Sequence, residues 1–221
     1  HRDLHSFPTR RSSDLLLILS GCKSDKDPFA YEQPMYGGTR DPLKEKRESF
    51  SDDEIKEGWE YLNVKNDTHN AMKHFNQAWY YNSDNAQAYL GIGLTLETEA
   101  IQEENQEKIE TAIKILERAN ALDPMNPQIM DSLGKALTEN ALCQKDPEAK
   151  ALLLKTAESL FSTSCRISPK GIFFLNWSIC LYHEGRYQES WAKLMKANEL
   201  NCKVPPDFLT ALKLKIGEPQ Q

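Results

Sequence analysis

GRYQESWAKLMKANELN, residues 185–201, reads as a helix entered from a glycine turn. Ser190, Leu194 and Ala197 within it are spaced four and then three apart, which places them on one helical face, and Cys202 follows where the helix stops. The same skeleton has a small residue, an apolar residue at +4, a small residue at +7 and a stop at +12. It returns as Ala71–Phe75–Ala78–Ser83, Ala112–Leu116–Ala119–Pro124 and Ala157–Phe161–Ser164–Pro169. Small residues there let a second helix approach closely. A skeleton that recurs through a chain signals stacked supersecondary units rather than one folded knot.

Upstream of each copy stands a small residue followed by an apolar one at +3: Gly58–Tyr61, Gly93–Leu96, Gly134–Leu137 and Ser178–Leu181. Glycine on a helix face costs stability, so its return at one place points to close packing of backbones. Together with residues 185–201 and Ile115-Leu116-Glu117-Arg118-Ala119-Asn120-Ala121-Leu122-Asp123-Pro124, these pairs resemble the tetratricopeptide repeat, a helix–turn–helix unit. The resemblance runs from about Asp52 to Cys202. It implies an all-α, right-handed α-solenoid of about four repeats, near 52–85, 86–126, 127–171 and 172–203, within a domain spanning 51–217. Pro205-Pro206-Asp207 opens a last helix whose Phe208, Leu209, Leu212 and Ile216 share a face, as the cap on the end of a stack requires.

The turn inside the unit keeps its standard length only in the last repeat. The first has one extra residue, the second about seven and the third about eleven. Asp146-Pro147-Glu148 reads as an N-cap followed by proline at the first helical position, so the third insertion reads as an early helix start. Glu103, Glu104 and Glu107 give the second insertion an acidic turn. Helix extension is the favoured reading of both, and a partner-binding rim the other.

The N-terminal 50 residues have a different character. His1–Asp14 looks like the frame translation of a sequencing adapter and is set aside from fold reasoning. Leu15–Cys22 is an apolar run closing in small residues, like the tail of a signal peptide. Its Leu19-Ser20-Gly21-Cys22 resembles a bacterial lipobox, in which the cysteine thiol is acylated. That resemblance implies a lipid anchor at Cys22. It also implies a cell-envelope location, with Lys23 rather than aspartate after the cysteine favouring the outer membrane facing the periplasm. More than one acyl chain makes such anchoring firm, at about 0.8 kcal/mol per buried methylene. Residues 23–50, rich in proline, glycine and charge, read as a flexible tether.

With 27 Lys and Arg against 33 Asp and Glu, the chain carries a net charge of −6, and no cationic cluster suits nucleic acid. Nucleophile elbow, phosphate loop, dinucleotide turn and zinc-helix motifs are all missing, so no enzymatic activity, cofactor or metal is expected. His69 and His74 are five apart and fall on different helical faces. Cys143, Cys165, Cys180 and Cys202 allow two bridges but lack CxxC spacing, and sit where a repeat places small or apolar core residues; free buried thiols are the default.

Binding remains. By resemblance, the first helix of each repeat lines a concave groove that holds partner segments. The groove-facing positions are Gln87, Leu90, Leu94 and Glu97, then Asp131, Lys135 and Thr138, then Leu175, Ile179 and Tyr182. The expected role is a scaffold for other envelope proteins, held to the membrane by lipid. The alternatives are a cytosolic adaptor without an anchor and a non-catalytic part of a larger enzyme or sensor.

Overall fold

The computed structural model describes residues 41–217. The adapter-like stretch, Cys22 with its lipobox, and the tether up to residue 40 lie outside the described residues. Nine helices follow among those described: α1 Glu48–Asn63, α2 Thr68–Tyr81, α3 Ala86–Glu103, α4 Gln106–Leu122, α5 Pro127–Cys143, α6 Pro147–Ile167, α7 Gly171–His183, α8 Tyr187–Glu199 and α9 Pro206–Ile216. They pair in order, α1 with α2 through α7 with α8, and α9 rests on α8. The architecture is an all-α solenoid.

Side-chain caps punctuate the stack. Asp67, Asn85, Asn105, Asn126 and Asp146 each accept a backbone N–H from the second or third residue of the helix that follows, satisfying donors the helix leaves unpaired. The insertions of repeats two and three are absorbed as helix. Only Glu104 and Asn105 separate α3 from α4, and α6 runs for 21 residues from its Asp146 cap. Glu104 takes a left-handed conformation (φ 51°) to make that reversal in two residues. The tether ends sooner than residue 50: the Leu43 and Arg47 amides donate to the Tyr80 and Tyr81 carbonyls at the end of α2, and α1 starts at Glu48.

All twelve helical points of the recurring skeleton are 0% exposed. Phe75 shows why small residues oppose them. A Cβ placed on Gly58 of α1 would stand 2.6 Å from the Phe75 ring, and one on Gly91 of α3 only 2.3 Å from it. The α2 ring is thus wedged between two helices that meet it bare of side chains, joining repeat one to repeat two. Gly93 faces Leu116 and Gly134 faces Phe161 in the same way. In the fourth repeat Ser178 stands in the glycine's place. Its hydroxyl donates to the Ser190 carbonyl (2.8 Å) and Ser190 returns the bond to the Ser178 carbonyl (2.7 Å), both fully buried.

The apolar interior falls into two clusters. One runs through the first three repeats as far as Cys180; the other joins Leu175, Leu194, Ala197 and Leu212, tying repeat four to α9. Arg186 crosses this seam, donating to Glu158 of α6 and to Glu184 and Glu189 at 2.6–2.7 Å.

Gly91→Ala sets two effects against each other. Alanine in a helix interior gains about 1 kcal/mol over glycine, whereas overpacking a filled core costs about 1–3 kcal/mol or more. At 2.3 Å from the body of the ring the clash should win. Urea denaturation is expected to show a net loss of about 2 kcal/mol, and Phe75→Leu in the same chain should recover part of it. A more stable Gly91→Ala would overturn the wedge.

Candidate partner-binding face

Consecutive first helices touch, α1 with α3, α3 with α5 and α5 with α7, whereas among the described residues no two second helices make more than marginal contact. The first helices therefore line the inner side of the curve. One residue past each helix-facing small residue stand Trp59, Leu94, Lys135 and Ile179, all partly exposed. This stripe of three apolar side chains and one lysine is the accessible centre of the face. Asn63, Thr98, Glu139 and His183 flank it one turn further on.

Of the positions read from sequence, Gln87, Leu94, Lys135, Ile179 and Tyr182 are partly exposed. Leu90, Glu97, Asp131, Thr138 and Leu175 are buried, at 0 to 7% exposed, which corrects their reading as surface contacts. The cause is the contact between first helices, which turns these positions toward a neighbouring helix instead of solvent. Leu90 and Leu175 join the two apolar clusters, and the Thr138 hydroxyl bonds back to the Gly134 carbonyl of its own helix (2.9 Å). Tyr182 meets Tyr187 and Phe208 edge-on, with ring centroids 5.4 and 5.6 Å away, and so couples α7 to α8 and α9.

The buried polar members link three repeats. Lys135 Nζ of α5 donates to Glu97 Oε2 of α3 at 2.9 Å, and Asn176 Nδ2 of α7 donates to Asp131 Oδ2 of α5 at 2.8 Å. Each carboxylate keeps one buried oxygen without a partner, Glu97 Oε1 and Asp131 Oδ1. Burial raises the pKa of Glu97 despite the Lys135 ammonium beside it. Burial also pushes Asp131 up to about 7, against the opposing Asn176 bond. Sequence reasoning missed Asn176, Trp59 and Glu139. The signal was present in the register: Trp59 is the first-repeat counterpart of Leu94, and Asn176 stands two residues before the serine that replaces glycine.

His74 Nδ1 lies 2.7 Å from Glu54 Oε2, with its ring stacked on Tyr61. Among the described residues no three His, Cys, Asp or Glu side chains are grouped to hold a metal. The four described cysteines are free thiols. Cys165 and Cys180 are buried, and burial pushes them up to about 11 and about 12, which suppresses the reactive thiolate. Cys143 is exposed rather than in the core, because the long α5 carries it past the packed part of the repeat.

The raised Asp131 value has a definite consequence for stability. A carboxyl group whose pKa is higher folded than unfolded favours folding most below the unfolded value of 3.8, and that contribution is lost as pH rises toward about 7. Asp131→Asn removes the titration and keeps an acceptor for Asn176. The variant is expected to be more stable than the parent at pH 8, and the gap should widen by roughly 2 kcal/mol between pH 5 and pH 8. Paired urea curves at the two pH values check this; a gap independent of pH would refute the buried carboxyl.

No protein-family model matches the chain, and no curated protein does. Solved structures do. A thermophilic TPR protein of Thermus thermophilus superposes with a TM-score of 0.63 at 18% identity, over 76% of this chain and 84% of that one. MamA MSR-1 gives 0.46 at 19% identity over 68% and 76% of the two chains. PilF of Pseudomonas aeruginosa gives 0.41 at 17% identity over 77% and 86%. The last two superpose too loosely to support an argument. The first establishes the fold: the helix pairs of this chain stack as tetratricopeptide repeats do.

Proposed function

We propose that this protein is a non-catalytic scaffold that holds a segment of another protein against its concave face, and that a lipid on Cys22 tethers it to a bacterial envelope membrane. The observation that carries the first part is the stripe of Trp59, Leu94, Lys135 and Ile179. It is a partly exposed, mostly apolar surface on the inner side of a curved stack, suited to an amphipathic helix or a loop. The second part rests on sequence, Leu19-Ser20-Gly21-Cys22 after an apolar run. Among the described residues no helix is long and apolar enough to cross a membrane. An anchored scaffold of this kind works on envelope partners such as cell-wall, pilus or secretion assemblies, and the outer membrane facing the periplasm is its proposed place.

Crosslinking pull-down from the native host tests the face. Leu94→Ser with Ile179→Ser should lose partners that the parent chain retains, while circular dichroism stays helical. The set of partners recovered should be unchanged for Leu214→Ser, an 81% exposed leucine on α9. Partners kept by the Leu94/Ile179 variant would move the binding site off the concave face.

The anchor is checked by metabolic labelling with a fatty-acid analogue, using the chain expressed behind a complete lipoprotein signal peptide. Label is expected on the parent and not on Cys22→Ala. Equal label on both rules out acylation at that thiol.

A further inference from the structure

Two carboxylates on the concave face are built in with one oxygen of each left without a hydrogen-bond partner. Glu97 is 1% exposed and Asp131 7% exposed, yet each accepts a single bond across the helix contact, from Lys135 and from Asn176. Glu97 Oε1 and Asp131 Oδ1 are buried with no partner. An ionised carboxylate offers about four acceptor sites, and a buried oxygen without a donor is unfavourable. The Arg186 cluster is made differently. Arg186 engages three carboxylates through Nε and both terminal nitrogens, taking both oxygens of Glu189.

Lys135 stands four residues after Asp131 on α5, so one face of that helix presents it beside both carboxylates. Its side chain is 40% exposed and holds to the protein through one bond to Glu97, which makes it the displaceable member of the group. We infer that Glu97 and Asp131 form an anionic socket for a cationic side chain of the docked segment, arginine above all, and that Lys135 fills the socket when no partner is present. A guanidinium carries a fork of donors that pairs with more than one carboxylate oxygen, whereas the ammonium of Lys135 makes one bond and leaves Glu97 Oε1 and Asp131 Oδ1 unmet. Charge complementarity favours the same occupant. Glu139 acts on Glu97 from the same face, and of the two cations that act on the carboxylates Lys135 is already paired and Lys170 makes only a weaker, through-space contribution at Asp131. A metal ion is the weaker occupant, since among the described residues no third His, Cys, Asp or Glu joins the two. The inference rests on the proposed docking of a protein segment on this face.

The test is a titration of the full ¹⁵N-labelled chain at pH 8 with an acetylated, amidated pentapeptide holding a central arginine among alanines. The expected result is a saturable shift of the Asn176 side-chain amide, about tenfold weaker for the neutral citrulline counterpart. Glu97→Gln with Asp131→Asn should abolish it, and this variant is expected to fold because it removes two buried charges. Lys135→Met empties the socket and should tighten binding about tenfold.

Equal shifts with arginine and citrulline, or a shift unchanged in the double variant, would overturn the socket. So would weaker binding by Lys135→Met, which makes Lys135 itself the ligand-binding group. Calcium chloride moving the Asn176 signal where the peptide does not would replace the inference with a metal site. If the socket fails while the Leu94/Ile179 variant still loses partners, the scaffold stands and only the chemistry of its occupant changes.

Discussion

The absence of a Cβ at Gly58 and Gly91 is what the stack depends on most. The Phe75 ring fills the space those two side chains would take, with hypothetical Cβ positions 2.6 and 2.3 Å away. Because glycine lines the slot, α1 and α3 both close on α2, and the first helices come near enough to touch each other. That contact in turn decides which residues reach solvent on the inner face. In the fourth repeat the device changes: serine replaces glycine and two reciprocal hydrogen bonds hold Ser178 to Ser190. The apolar interior divides near the same place, with repeat four and α9 forming their own cluster.

Much of the fold is legible in the sequence because helical period is a local property. The skeleton of small, apolar and small residues identifies twelve positions, and all of them are fully buried. The Asp146 cap and the proline after it mark the start of α6 correctly, since both act within one turn of chain. Gly91 was missed for a related reason. It sits two residues from the recurring Gly93 and serves the junction between repeats, which a pattern read one repeat at a time does not contain.

The inner face was legible only in outline. Period places Leu90, Glu97, Asp131, Thr138 and Leu175 on the correct helices and on the side facing the curve. It does not say how far apart neighbouring first helices stand. At the observed spacing these five are covered, and the accessible stripe is the neighbouring row from Trp59 to Ile179. Cys143 fails in the opposite direction: helix extension in the third repeat carries it out of the packed layer.

Buried polar groups on an inner face do more for register than for stability. Desolvation dominates the raised pKa values of both Glu97 and Asp131, so replacing such groups by apolar ones is often neutral or stabilising. What an apolar pair lacks is direction. Lys135 to Glu97 and Asn176 to Asp131 each join one first helix to the next, and together they span α3, α5 and α7. Among the described residues the second helices make no more than marginal contact with each other. The curve is therefore set on its inner side, by a few directional bonds over glycine-wedged packing. On the proposed socket, a ligand that took the place of Lys135 would act on the bond between α3 and α5, and so would couple occupancy of the face to the curvature of the stack.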